Sequence, residues 1–173
     1  MDIEYYVEPV FKIEFLKLKV NEFKNKKKRI EKVLKNFPEV GNDYFYSNRD
    51  KGDFTNELAE ILGDEFNFMS KSYNSKIDLQ TAWSVTYGKG HYHVPHNHGA
   101  EGYAGILYLD INPEHPPTTY IQPWNDDRGK SVLFKPEVEE GDIVIAPKFI
   151  THYSEPNKIT DLKRIVGFDF NLV

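Results

Sequence analysis

The histidines in the second half of the chain have the spacing that a metal site needs. His96 and His98 are separated by one residue, and His152 follows much later, after a run of short β-patterned segments. Residues two apart in a strand project to the same side, so the first two imidazoles can bind one divalent metal at roughly 2.0–2.1 Å each. A third histidine on a later strand can complete the ligand set. We therefore predict a metal site formed by His96, His98 and His152.

Two earlier histidines, His91 and His93, show the same alternation, so the metal-binding pair has to be chosen. Pro95 fixes the backbone immediately before the later pair, and Gly99 allows the chain to turn immediately after it. The earlier pair lies where a strand would enter the barrel. These features favour the later pair as ligands at the rim.

Twelve residues after the third histidine, Arg164 begins a segment with strand-like alternation. Its predicted strand face also carries Val166, Phe168 and Phe170. A cation on an apolar face that points into a barrel needs an anionic partner, and a guanidinium can bind a carboxylate through two hydrogen bonds. We predict that Arg164 binds a carboxylate ligand. An ion pair with Asp161 or Glu155 at the start of the strand is the alternative.

The elements that must position these residues change in character near residue 77. Before it, helix-like spacing of apolar residues predicts helices over 18–37 and 54–71. After it, short alternating segments bounded by Gly, Pro, Asn and Asp predict eight strands. The predicted strands are 79–87, 91–96, 103–111, 118–122, 131–134, 142–146, 150–154 and 163–171. The pattern predicts a mostly β chain with N-terminal helices, built as a β-barrel or sandwich with the helices on one outer face.

The length fits a single domain over residues 1–173, with 1–77 as a helical N-terminal support and 78–173 as the β core. The segment 112–128 is the most irregular part of that core, because four of its residues are prolines and proline cannot donate to a sheet ladder. It holds at most the short strand 118–122. We expect it to be a mobile loop that borders the pocket and takes part in substrate recognition.

Composition argues against several classes of protein. The chain has no cysteine, so it contains no disulfide and no thiolate metal site. Its net charge of −5 argues against non-specific binding of nucleic acid. No apolar run approaches the ~20 residues of a membrane span, and the N-terminus lacks the pattern of a signal peptide. We expect a cytoplasmic protein that binds neither nucleic acid nor membranes. A run of basic residues within 24–29 is interpreted as a solvated helix face, with a phosphate-binding patch as the alternative.

Four stretches of the chain carry a resemblance to a known family. They are His96-Asn97-His98, residues 104–109, residues 141–152 and residues 164–171, and Trp83 upstream also fits. Over about residues 80–173 the chain resembles 2-oxoglutarate/Fe(II)-dependent oxygenases, and among them a small group related to prolyl hydroxylases. The resemblance implies a double-stranded β-helix, which is a jelly-roll or cupin-like barrel.

The same resemblance implies an activity and a set of site residues. The expected protein is a 2-oxoglutarate-dependent dioxygenase, a hydroxylase of a small molecule or a peptidyl residue, with Fe(II) and 2-oxoglutarate as cofactors. His96 and His152 would bind the iron, Arg164 would bind the distal carboxylate of 2-oxoglutarate, and Tyr108 would donate a hydrogen bond to it. Alternation places Tyr108 on a strand face that is compatible with pointing inward.

One position departs from the family pattern. Oxygenases of this superfamily have His-x-Asp or His-x-Glu, whereas this chain has His98 at the acidic position. Glu101 could reach the metal instead, and His98 would then contact the ligands or the substrate. The residues also fit a cupin, whose motifs resemble Gly90 to Glu101 and Gly141 to His152. A metal-binding cupin enzyme and a non-catalytic cupin-like binding module therefore stay open as alternatives.

Overall fold

The structure, a computed structural model, describes residues 13–37, 40–41, 46–50 and 53–173. Within these residues the helices are α1 (Phe23–Leu34), α2 (Asp53–Ile61) and α3 (Gly63–Tyr73). The strands are β1 (Leu16–Lys19), β2 (Val40–Gly41), β3 (Tyr46–Asp50), β4 (Ile77–Tyr87), β5 (His93–His96), β6 (Tyr103–Asp110), β7 (Thr118–Asn125), β8 (Ser131–Phe134), β9 (Asp142–Pro147), β10 (His152–Ser154) and β11 (Lys163–Leu172).

The strands form two antiparallel sheets. The larger sheet has the order β1-β9-β6-β11-β4-β3-β2, and the smaller sheet has the order β5-β10-β7-β8. The last strand, β11, lies in the middle of the larger sheet and pairs with β6 on one side and β4 on the other. This arrangement confirms the predicted fold, a mostly β chain with N-terminal helices and a double-stranded β-helix.

Alternation along the strands of the larger sheet divides the hydrophobic core into two layers. On one face, Leu107 and Phe168 belong to a cluster that includes Leu58 of α2. On the other face, Ile106 and Ile165 belong to a cluster that includes Tyr120 of the smaller sheet. Full burial of such a side chain contributes about 1.5–3 kcal/mol to stability. Both faces of the larger sheet are therefore apolar, one beneath the helices and one inside the barrel.

The front of the chain differs from the prediction in two places. The helix predicted over 18–37 is shorter, because strand β1 precedes it and pairs with β9. The helix predicted over 54–71 is two helices that meet at Leu62 and Gly63, where glycine lowers helix propensity by about 1 kcal/mol relative to alanine. Strands β1 to β3 belong to the larger sheet, so this part of the chain is not only a helical support. Residues 1–12 of that predicted support lie outside the described residues.

The strands of the second half follow the predicted ones, with one main departure in the segment 112–128. Strand β7 runs from Thr118 to Asn125, longer than predicted, and pairs with β10 and β8. Pro123 lies where the β7–β8 register shifts, between Ile121 and Asn125. Its missing N–H therefore falls at an irregular position of the ladder, where proline is tolerated. The expected strand 118–122 is thus present but extends to Asn125, and the rest of the segment 112–128 lies outside the strands.

The basic run of α1 is partly internal rather than a fully solvated face. Lys26 is buried, and its Nζ lies 2.8 Å from an Oε of Glu65. Lys27 Nζ lies 2.7 Å from an Oδ of Asp110 on β6. These ion pairs join α1 to α3 and to the larger sheet. None of the helices in the described ranges is both long enough and apolar enough to cross a membrane.

Candidate active site

A pocket lies inside the barrel, between the two sheets. Its empty space is about 370 Å³ when the open solvent at its mouth is counted. Its wall is apolar where the larger sheet contributes Trp83, Val85, Ile106 and Ile165. Its other wall, from the smaller sheet and the segment after β5, carries polar and imidazole side chains. These include His96, His98, Thr118, His152 and Ser154.

The pairing of β5 with β10 brings the three predicted ligand residues together. His96 at the end of β5 lies directly opposite His152 at the start of β10. His98 follows β5, and its backbone N–H donates to the carbonyl of Lys148 at 3.0 Å. One nitrogen from each of the three rings lies within 4.8 Å of the other two. Three imidazole nitrogens at this separation could bind one metal ion.

Hydrogen bonding fixes the tautomer of all three rings. Nδ1 of His96 lies 2.8 Å from the carbonyl oxygen of Val94, and Nδ1 of His152 lies 3.1 Å from that of Ile150. A carbonyl can only accept, so each Nδ1 must carry the proton. Nδ1 of His98 lies 2.7 Å from a carboxylate oxygen of Asp169, where it donates in the same way. The lone pair of each neutral ring is therefore on Nε2, as metal ligation requires.

Burial favours the neutral form of the third histidine. His152 is 7% exposed. Burial and the neighbouring His96 lower its pKa to about 3, against the opposing effect of its hydrogen bond to Ile150. A neutral imidazole is the form that binds a metal. His152 is thus ready to act as a ligand throughout the neutral and mildly acidic range.

A tryptophan and a glycine shape the wall behind His98. The rings of Trp83 and His98 lie 5.2 Å apart, and Trp83 is 7% exposed. A Cβ added to Gly167 on β11 would lie 2.5 Å from Cε2 of Trp83. Any residue other than glycine at position 167 would therefore force Trp83 to move. The missing side chain of Gly167 is therefore what admits the indole to this wall.

The alternative ligands are placed differently. The group of histidine and acidic side chains close enough to share one ion, among the described residues, consists of His96, His98 and His152. Glu101 is exposed and outside that group. Nδ1 of His91 accepts a hydrogen bond from the N–H of Gly88 at 3.1 Å. His93 lines the pocket and stacks on His96 with ring centroids 4.2 Å apart, although it is not in the group of three.

Arg164 does not point into the barrel, contrary to the expectation from alternation. Its guanidinium donates to Asp110 of β6 and, at 2.5 Å, to Glu31 of α1. The residues predicted to share its face do so, but that face packs against the helices. Because both faces of β11 are apolar, the alternation identified two faces and could not identify the inner one.

The predicted partner of Arg164, Tyr108, does lie on the inner face. It is fully buried in the cluster between the sheets. Its hydroxyl accepts a hydrogen bond from the backbone N–H of Thr118 at 3.3 Å. Thr118 lines the pocket, whereas Tyr108 is not among its lining residues. In this structure Tyr108 therefore supports the start of β7.

The inner face of β11 instead presents Lys163, which the sequence reasoning missed. Lys163 is 1% exposed, and its Nζ donates to Ser154 Oγ and to the carbonyl of Pro116, both at 2.7 Å. It also lies 4.7 Å from the ring centre of Tyr87. Both Ser154 and Tyr87 line the pocket. The sequence feature that could have indicated Lys163 is a second cation, adjacent to Arg164, in a strand whose two faces are both apolar.

Lys163 is a buried cation with neutral partners. Among the described residues, no carboxylate lies within 4 Å of its ammonium group. Burial lowers the pKa of Lys163 to about 7, although the more distant Glu155 acts in the opposite direction. A buried ammonium is stable only with a compensating partner. The interior beside Ser154, which lines the pocket, is therefore suited to an acidic ligand.

Comparison with known proteins addresses the fold. No family model matches the sequence, and no match was found among curated proteins. A 2OG-Fe(II) oxygenase family oxidoreductase from Burkholderia pseudomallei has a TM-score of 0.69 and 11% identity, covering 91% of this chain and 84% of that chain. HygX from Streptomyces hygroscopicus, with nickel, 2-oxoglutarate and hygromycin B bound, has a TM-score of 0.68 and 14% identity, covering 91% and 82%.

A prolyl-4-hydroxylase from Pseudomonas putida is also similar, with a TM-score of 0.62 and 11% identity, covering 91% of this chain and 92% of that chain. The agreement extends over most of each chain, while the sequences have diverged widely. The similarity therefore concerns the fold and not the sequence. The chain has the double-stranded β-helix fold of the 2-oxoglutarate/Fe(II) oxygenases.

Proposed function

We propose that the protein is an Fe(II)- and 2-oxoglutarate-dependent oxygenase. The observation that carries this proposal is one pocket lined by three imidazoles and by Ser154, whose hydroxyl accepts a hydrogen bond from the buried Lys163. His152 and Ser154 lie two residues apart on β10, so their Cα atoms are roughly 6.6 Å apart. That spacing suits a short ligand with an acidic group at each end.

The residues present fit the two cofactors. Imidazole is a ligand that suits iron, and three protein ligands leave positions open for further groups. His96, His98 and His152 would hold the metal. Lys163 would hold the distal carboxylate of 2-oxoglutarate, in the role predicted for Arg164, with the Ser154 hydroxyl beside it. When bound, iron and 2-oxoglutarate would activate O₂ as the oxidant, chemistry that the protein alone does not have.

The chain itself supplies orientation and a dry wall. Carbonyl and carboxylate acceptors keep the protons of the three imidazoles on Nδ1 and so leave the lone pair of each neutral ring on Nε2, the nitrogen that would bind a metal. The apolar wall of Trp83, Ile106 and Ile165 keeps water away from that side of the pocket. Lys163 binds an anion by charge and hydrogen bonding, and takes up a proton when it does so.

The substrate of this oxygenase is proposed to be a small molecule or a peptidyl residue, and the reaction a hydroxylation. The similar structures include a protein with hygromycin B bound and a prolyl-4-hydroxylase. The exposed rings of Trp124 and Phe149 offer apolar surface on the outside of the barrel half. The segment 112–128 contributes Thr118 to the pocket, which supports its proposed part in recognition.

A metal-dependent cupin-type protein that does not use 2-oxoglutarate is the second candidate. The observation that favours it is the third imidazole, which stands where oxygenases of this superfamily have a carboxylate. One experiment separates the two. Calorimetry with Mn(II) in place of iron measures 2-oxoglutarate binding without turnover, and succinate release with Fe(II) and ascorbate then measures activity. We expect both binding and release. Metal binding without any 2-oxoglutarate binding would select the cupin-type protein.

A further inference from the structure

Asp169 lies directly behind the imidazole that replaces the usual carboxylate ligand. Its Oδ1 is 2.7 Å from Nδ1 of His98. Both side chains are mostly buried, at 10% exposure for His98 and 13% for Asp169. We propose that Asp169 is a positioning residue for His98: it holds the ring with Nε2 available to a metal and supplies negative charge one imidazole away from it. The inference rests on the proposed metal site, although not on 2-oxoglutarate.

The three imidazoles of the group differ in what stands behind them. Nδ1 of His96 and of His152 donates to a neutral backbone carbonyl. Nδ1 of His98 donates to a carboxylate, which is a stronger, charge-assisted acceptor. A carboxylate behind a ligand histidine fixes the ring and increases its basicity. A site of two histidines and one carboxylate receives negative charge directly, whereas here the charge reaches the metal through His98.

The surrounding backbone holds this pair in register. Asp169 is on β11, opposite Ala104 of β6 and Thr81 of β4, in the middle of the larger sheet. Lys148 contacts both members: its carbonyl accepts the backbone N–H of His98 at 3.0 Å, and its Nζ lies 3.9 Å from Oδ2 of Asp169. The carboxylate is thus aimed by a central strand and not by a mobile loop.

The experiment compares Asp169→Asn, Asp169→Ala and a matched control, Glu60→Gln, which removes a carboxylate from the exposed surface of α2. Co(II) binding is measured by calorimetry in the absence of 2-oxoglutarate. We expect Asp169→Ala to raise the Co(II) Kd by about 10- to 100-fold, and the control to match wild type. Asp169→Asn keeps an acceptor without the charge, so an intermediate value is expected. Wild-type affinity in both Asp169 variants would overturn the proposal.

Two further readouts separate positioning from a general effect on folding. The Asp169→Ala change should weaken Co(II) binding in a His96→Ala background and have little effect in a His98→Ala background. In the metal-free protein, ring ¹⁵N spectra should show Nδ1 of His98 protonated in wild type and a shift toward Nε2 protonation in Asp169→Ala. An unchanged His98 ring in that variant would contradict the proposal. Because neither readout involves 2-oxoglutarate, failure of the oxygenase proposal leaves this test intact.

Discussion

Lys163 and Arg164 are adjacent in the chain and project from opposite faces of β11. Lys163 donates to Ser154 of the smaller sheet, whereas Arg164 contacts Glu31 of α1. One cation lies on the inner face of the strand with neutral partners, and the other is paired with two carboxylates outside the barrel. The difference arises from the pleat of a single strand.

Exchanging these two cations for neutral residues should have different effects. Lys163→Met should raise the Kd of 2-oxoglutarate about 10- to 150-fold, because a charge-assisted hydrogen bond contributes about 1.5–3 kcal/mol. Arg164→Ala should leave that Kd nearly unchanged and lower the free energy of unfolding by about 1 kcal/mol, since its ion pairs are partly solvated. Calorimetry with Mn(II) and urea denaturation measure the two quantities. The reverse outcome would restore the prediction made from alternation.

Binding of 2-oxoglutarate should take up protons at pH 8. The pKa of Lys163 is lowered to about 7, mainly by burial, so most of the free protein carries a neutral lysine at that pH. A carboxylate beside it favours the charged form and raises the pKa. Calorimetry at pH 8 in buffers of different ionisation enthalpy should therefore give buffer-dependent heats. Lys163→Met should remove most of that dependence, and a wild-type heat that is the same in every buffer would argue against the assignment.

Stability of the metal-free protein should rise with pH between about 7 and 10. In the unfolded chain the lysine keeps its proton up to about 10.5, whereas in the folded protein its pKa is about 7. The unfolded state therefore binds more protons in this window, so the free energy of unfolding increases with pH. Urea denaturation at pH 7 and pH 9 measures the slope, with Lys163→Met as the reference. A slope that is equal in both proteins would mean that another group dominates.

Removal of single imidazoles should identify the ligands. Alanine at 96, 98 or 152 should weaken Co(II) binding strongly, because each leaves one fewer nitrogen in a group of three. Glu101→Gln and His91→Ala serve as controls and should bind Co(II) like wild type. If Glu101→Gln weakened binding more than His98→Ala did, the carboxylate would be the third ligand. A further variant, His93→Ala, tests whether His93 also contributes to metal binding, because it stacks on His96 without belonging to the group of three.

Adding one methyl group at Gly167 should disturb the pocket wall. The new Cβ would overlap Trp83, so Gly167→Ala should cost about 1–3 kcal/mol of stability and move the indole away from His98. Gly63→Ala is the matched control, because a Cβ there meets nothing within 4 Å and the residue begins α3. Denaturation and tryptophan fluorescence measure the effect. An equal stability change in both variants would show that Gly167 is not under steric constraint.

The histidine group could be predicted because it depends on short-range rules. Alternation over His96 and His98, with a distant histidine on a neighbouring strand, predicted that three imidazoles meet, although β5 ends at His96 and His98 follows it. The positions of most strands and the fold class likewise follow from the spacing of short apolar segments. These features depend on patterns that are local in the sequence or repeat along it. They can be predicted without knowing which distant residues are in contact.

The inner face of β11 could not be read in the same way. Phe168 faces the helices and Ile165 faces the smaller sheet, yet both are apolar and buried. A shift of one residue exchanges Lys163 for Arg164 and changes the whole assignment. The contact of His98 with Asp169 joins residues 71 positions apart, and nothing local marks it. Strand β1 is only four residues long, and its sequence pattern could not be separated from that of the lysine-rich helix that follows.

The buried Lys163 should also bind small anions from the buffer. In its charged form Lys163 has a hydroxyl, a carbonyl and the Tyr87 ring as neighbours, and should attract small anions from the solution. Chloride, sulfate or acetate in a buffer would then compete with the ligand for the same position. The apparent affinity for an acidic ligand should consequently depend on the identity of the buffer anion, and not on ionic strength alone.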